Sequence, residues 1–142
     1  MKRRIIFLVL SLFIVTMIGV FAEINDIVII VEGELVEFTD VKPFVNEDGR
    51  TMVPVRFVAQ ALGAKVDWDN GTQTVIITKN DIRIEMKIGS KSYTVNGLAK
   101  EMDTSAEIYN GRTIVPVRFS AEDLNSKVDW DDVNKQVIIA SL

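Results

Sequence analysis

Apolar and polar positions in this chain follow two rhythms, a strand period of two and a helix period near 3.6, and the combination is written twice. Sliding the sequence on itself by 62 residues aligns Gly49-Arg50-Thr51 with Gly111-Arg112-Thr113 and Val53-Pro54-Val55-Arg56-Phe57 with Val115-Pro116-Val117-Arg118-Phe119. The same shift aligns Lys65-Val66-Asp67-Trp68-Asp69 with Lys127-Val128-Asp129-Trp130-Asp131, and it holds without a gap through Val75-Ile76-Ile77 and Val137-Ile138-Ile139. Upstream, Val31-Glu32-Gly33 resembles Val95-Asn96-Gly97 after a two-residue shift. A catalytic motif needs one copy per active site. Two copies at this period predict a duplicated supersecondary unit that buries its apolar face against its twin.

Each copy reads as strand, strand, helix, strand, strand. Asp48-Gly49 and Asn110-Gly111 are dipeptides that tolerate positive φ at both turn centres, so each predicts a tight hairpin leading into a strand at Thr51 to Val53 or Thr113 to Val115. Pro54 and Pro116 lack the N–H that a sheet ladder needs but suit the first turn of a helix, which predicts short helices running to Leu62 and Leu124. Gly63 follows the first helix and Asn125 the second, the two residue types that most readily take the left-handed conformation after a helix. Val55, Ala59 and Leu62 share a face, as do Val117, Ala121 and Leu124, giving an apolar stripe turned to a sheet. Arg56 with Gln60, and Arg118 with Glu122, stand four apart on a more polar side. Lys65 to Asp69 and Thr74 to Thr78, with their counterparts at 127–131 and 136–140, flank another hairpin turn at Asp69-Asn70-Gly71. Between the copies, Ile82 to Ile88 alternates with period two, the pattern of a strand wet on one face. The expected fold class is α+β, with mainly antiparallel sheets each packed on a short helix and repeats at about 24–80 and 81–142.

The start of the chain changes the picture of where it works. Lys2, Arg3 and Arg4 precede an uncharged apolar run from Ile5 to Phe21, and Val20-Phe21-Ala22 suits the small-residue rule for signal peptidase. Residues 1–22 are therefore expected to be a signal peptide, because an apolar run of that length falls short of the roughly 20 residues needed to span a bilayer. The expected mature domain is 23–142. Cleavage would remove three of the 16 basic residues and none of the 20 acidic ones, moving the net charge from −4 to −7. Such a surface repels nucleic acid and anionic membrane, so neither is an expected partner, and contact with membrane is limited to the transient signal segment. With no Cys in an exported chain, packing alone must hold the domain, which favours a bacterial exported protein over a small animal secreted module.

Candidate chemistry is sparse. The absence of His and Cys removes Ser-His-Asp and Cys-His catalysis and ordinary zinc sites. What remains is a carboxylate pair, Asp67 with Asp69 or Asp129 with Asp131, of the kind glycosidases use. Residues i and i+2 of a strand share one face, and Asp beside a turn solvates that face, so the structural reading of these pairs is preferred. The same carboxylates invite a calcium reading, but their spacing does not match the calcium loop and no ligand Glu follows at the proper distance. Arg56 and Arg118 read either as anion binders near a helix start or as partners of a nearby carboxylate or aromatic ring.

Together the segments NGRTIVPVRF, KVDWD and QVII, preceded by the VNG turn at Val95 to Gly97, resemble the copper amine oxidase N-terminal, or stalk, domain of exported Gram-positive bacterial proteins. The resemblance covers essentially the whole expected mature chain. It implies a five-stranded antiparallel sheet wrapped on a helix, lying outside the catalytic body and forming a dimer stalk, and hence an accessory module. An amine oxidase itself would need three histidine ligands for copper and a tyrosine-derived quinone, whereas this chain has no His and only Tyr93 and Tyr109. No enzyme activity, cofactor or metal is therefore expected. The motif residues Gly49, Arg50, Pro54, Arg56, Phe57, Gly63, Asp67 and Trp68 are read as structural, and so are Gly111, Arg112, Pro116, Arg118, Phe119, Asn125, Asp129 and Trp130.

Two functions fit these readings. The first is an extracellular interaction module at the cell surface or wall that docks other extracellular proteins or a second copy of itself as a homodimer. The second is a carbohydrate or cell-wall polymer binder that uses Trp68 and Trp130 as stacking platforms. Each Trp should face opposite to its flanking Asp residues, so wet aspartates predict two core tryptophans and favour the first function.

Overall fold

The computed structural model describes residues 26–142, so the expected signal segment at 1–22 lies outside the described residues. Strands β1 (Val28–Val31), β2 (Glu34–Leu35), β12 (Ser126–Asp131) and β13 (Gln136–Ser141) form a terminal sheet in the order β12-β13-β1-β2. A central sheet takes β3 (Phe44–Val45), β4 (Thr51–Pro54), β10 (Glu107–Tyr109) and β11 (Arg112–Pro116) in the order β10-β11-β4-β3. The third, a meander, runs in chain order through β5 (Lys65–Asp69), β6 (Thr74–Lys79), β7 (Ile82–Lys87), β8 (Ser92–Val95) and β9 (Leu98–Glu101). Helix α1 (Val55–Ala61) lies on β5 and helix α2 (Val117–Glu122) on β12, and the two helices touch each other. The class is α+β with mostly antiparallel sheets.

The central sheet explains where the nine-letter motif goes. Strands β4 and β11 pair antiparallel with Val53 opposite Val115, Pro54 opposite Ile114 and Met52 opposite Pro116. Val53 and Val115, 62 residues apart in sequence, thus face one another, and the pairing on either side of them is symmetric about a local two-fold axis. Val53 and Val115 point into the main core with Ile29, Val58, Leu62, Ile77, Ile84, Leu124 and Ile139. Their neighbours Met52 and Ile114 point the other way, into a small cluster closed by Val41 and Phe44. Both faces of β4 and β11 are covered, which is why these two strands read as apolar runs instead of alternating.

The helices start at their prolines, but α1 ends at Ala61, one residue short of the expected Leu62, and α2 at Glu122, two short of the expected Leu124. Pro54 and Pro116 are N-caps with φ near −60° (−60° and −63°), one residue earlier than the first helical turn. Val55, Ala59 and Leu62, and Val117, Ala121 and Leu124, are all buried. Gly63 has φ 75° and Asn125 φ 59°, so two different letters satisfy the same left-handed requirement.

The turns hold two corrections. Asn110-Gly111 has positive φ at both positions (47° and 75°), as a two-residue hairpin requires, but at Asp48-Gly49 only Gly49 does. That longer loop is organised by Asn46, whose side-chain oxygen accepts the N–H groups of Asp48 and Arg50. In the loop after β5 the left-handed residue is Gln73 (φ 52°), not Gly71, and Asp69 Oδ1 accepts the N–H of Gly71 and Thr72. Its counterpart uses Lys135 (φ 53°), with Asp131 Oδ1 accepting from Val133 and Asn134.

The sheets also cut across the boundary drawn near residue 80. Strand β1 lies in parallel beside β13, Ile29 opposite Val137 and Val31 opposite Ile139, while β7 to β9 extend the sheet of β6. The hairpins β1–β2 and β8–β9 turn alike, through Glu32-Gly33 (φ 52° and 78°) and Asn96-Gly97 (φ 52° and 79°). In the meander, β7 stands between β6 and β8 and makes those two parallel at one remove. The terminal sheet has no strand in that place, so β1 joins β13 directly and in parallel.

Candidate binding grooves

Two grooves open on either side of the local two-fold axis, each made from both copies of the motif. The first, about 460 Å³, is lined by Pro54, Val55, Arg56 and Phe57 of one copy, by Val66, Asp67, Trp68 and Val75 of its sheet, and by Ile108, Gly111, Arg112 and Thr113 of the other copy. The second, about 510 Å³, is lined by Pro116, Val117, Arg118, Phe119, Val128, Asp129, Trp130 and Val137, completed by Val45, Gly49, Arg50, Thr51 and Asp103. Antiparallel pairing of β4 with β11 causes the exchange, because it carries the Gly-Arg-Thr start of one motif to the Val-Arg-Phe end of the other. We call these the β5 groove and the β12 groove.

The tryptophans correct the sequence reading. Trp68 is 41% exposed and Trp130 42%, so neither is a core anchor. Both indoles nonetheless lie on the inward face that strand alternation predicts: Trp68 stands opposite Val75 and Trp130 opposite Val137, both buried valines. Facing inward is not the same as being covered. Strands β5 and β12 are the outer strands of their sheets, and each neighbouring helix ends after seven or six residues, so each indole forms a groove rim. Trp130 Nε1 donates to Asp132 Oδ1 at 3.4 Å.

The arginines divide by partner. Arg50 pairs with Asp103, and Arg112 gives two N–H groups to Asp40 at 2.8 and 2.9 Å, which with the Val41 amide holds the Asp40 carboxyl below its ordinary range. Arg118 lies 3.7 Å from Glu122. Arg56 is exposed and forms no ion pair among the described residues, since its helix carries Gln60 at the equivalent position. Asp67 and Asp129, next to the tryptophans in sequence, pair with Lys65 (3.4 Å) and Lys127 (3.3 Å). Asp131 is held below its usual range by the Asn134 side chain and then by backbone amides, a turn-building role that occupies its oxygens. Phe57 packs edge-on to Phe38 and Phe119 to Tyr93, with centroids 5.5 and 6.1 Å apart.

Several residues absent from the sequence reading support the grooves. Buried Thr104 donates to Asp48 Oδ2 and accepts from Asn46 Nδ2, both at 2.8 Å, which fixes the loop carrying Gly49 and Arg50. Asp123 at the end of α2 accepts from Tyr93 Oη and Lys100 Nζ, both at 2.5 Å, joining that helix to the meander. The Asn46-to-Gly49 spacing was a readable turn signal, whereas the distant partners of Thr104 and Asp123 had none.

A family profile, the copper amine oxidase N-terminal domain, matches residues 30–139 and so spans all three sheets. The chain belongs to this family. The N-terminal domain of copper amine oxidase is a non-catalytic domain. An 81-residue stretch is also 33% identical to a protein named protease inhibitor from Brevibacillus choshinensis, covering 57% of this chain and 25% of that protein. The match spans about a quarter of that relative's length.

Proposed function

We propose that this chain is a non-catalytic interaction module, exported and held at the cell surface or wall, that engages other proteins through its two tryptophan-edged grooves. The observation that carries this reading is the half-exposed indole at the same place in both grooves. Tryptophan and arginine beside apolar walls are the composition of protein-interaction hot spots, and the valine and phenylalanine linings suit apolar side chains. A family whose named domain is non-catalytic and a relative named protease inhibitor are both compatible with a protein-binding role. Export rests on the charged and apolar pattern of residues 1–22.

A wall-polymer reading is kept beside it, because an exposed indole face also stacks on sugars. Sedimentation with purified cell walls, intact or stripped of protein, separates the two. The expected result is that the chain co-sediments with intact walls, that stripping abolishes this, and that Trp68→Ala with Trp130→Ala does the same. Trp-dependent binding to stripped walls, released by soluble glycans, would move the assignment to the polymer, and Trp-independent binding would remove the grooves from the function.

A further inference from the structure

Resting on that reading, we propose that the β5 groove takes an extended polypeptide segment as an added strand. An apolar side chain of the segment lies against Trp68, and a carboxylate two residues away pairs with Arg56.

The backbone argues for polypeptide. The groove lies between β5, the outer strand of the meander, and β10, the outer strand of the central sheet. Among the described residues each of these strands has a sheet neighbour on one side only, so each presents a row of unpaired N–H and C=O groups. A polypeptide strand satisfies such a row with its own main-chain N–H and C=O groups. The walls then select side chains. Phe57, Val66, Trp68 and Ile108 make an apolar channel, and Ile108 is 49% exposed for want of a neighbour.

Charge selects the rest and separates the two grooves. In the β12 groove Arg50 is taken by Asp103, Arg118 by Glu122 and Asp129 by Lys127, so no charge is left over. In the β5 groove Arg112 is taken by Asp40 and Asp67 by Lys65, leaving the Arg56 guanidinium as the one charge without a partner among the described residues. A guanidinium beside an apolar wall suits one carboxylate. A polyanion is disfavoured, because the chain as a whole carries −4 and a densely charged wall polymer would be repelled. The two-residue spacing follows from the strand period, since side chains i and i+2 enter the same groove.

The test is selection of a random nonapeptide display library on the immobilised chain, followed by titration of the winners against wild type, Arg56→Gln and Arg118→Gln. Arg56 is exposed, so unchanged melting of Arg56→Gln certifies its fold. The expected winners carry Asp or Glu two residues from a bulky apolar residue. Arg56→Gln should weaken them about tenfold, Arg118→Gln should leave them unchanged, and replacing the peptide's acid by its amide should erase the difference. Winners without an acidic position, equal losses for the two arginine variants, or no enrichment at all would overturn the proposal. If Trp-dependent wall binding persists while the library yields nothing, this inference alone falls. If both fail, the interaction module falls with it.

Discussion

At position 63 a glycine and at 125 an asparagine hold the same left-handed backbone, and the space around Gly63 isolates the reason. A Cβ built there meets nothing within 4 Å, so a side chain is opposed by backbone strain alone. Gly63→Val should therefore cost about 1–2 kcal/mol, because a β-branched residue resists positive φ, while Gly63→Asn should stay within about 0.5 kcal/mol. Urea melts of the two variants check this, and equal losses would show that the turn relaxes away from φ 75°. The cap was legible because a backbone demand is written locally. Trp68 and Trp130 were half legible: alternation with aspartate gave their face, but burial depends on where the helix stops and on which strand is outermost. Trp68→Ala is accordingly expected to cost about 1–2 kcal/mol, below the 3–5 kcal/mol typical of a fully buried aromatic. A loss of that larger size would mean the indole is covered in solution.

Among elements, local signals were readable and long-range pairing was not. Period-two alternation at Ile82 to Ile88 became β7, with Ile84 and Met86 buried and Arg83 and Lys87 exposed, and the proline-to-glycine interval became α1. Nothing in the letters around Val28 names β13 as its neighbour, since the match of Val31-Glu32-Gly33 to Val95-Asn96-Gly97 gives the hairpin without its sheet. The parallel β1–β13 pair places Ile29, fully buried, against the closing strand of the chain. Ile29→Ala should cost about 2–4 kcal/mol, and native-state hydrogen exchange should show the loss first in the amides of β13. Protection lost evenly across the meander instead would mean that the terminal sheet does not open as a separate unit.

For the whole molecule, the local two-fold at Val53 and Val115 joins the copies, and one off-axis polar tie fastens the second helix to the meander. Tyr93 is 3% exposed, its hydroxyl donates to Asp123, and Lys100 shares that carboxylate. The tie was invisible in the sequence because its members are scattered over β8, β9 and the end of α2, and the first copy has Ala61 where the second has Asp123. Burial, and then the neighbouring Asp123 carboxylate, push the Tyr93 hydroxyl well above its ordinary range. A folded-state pKa above the unfolded value of about 10 means that the contribution of Tyr93 is fully present below that pH. It is lost as pH rises further, because the unfolded tyrosine ionises while the folded one cannot. Tyr93→Phe removes the hydrogen bond, at about 1 kcal/mol near neutrality, and also removes this alkaline slope. Urea midpoints of the two proteins should therefore differ at pH 8 and converge as pH rises past 10, each measured at constant ionic strength. A gap that stays constant or widens would show that the Tyr93 hydroxyl ionises as freely in the folded protein as in the unfolded chain, and the tie to α2 would then be absent.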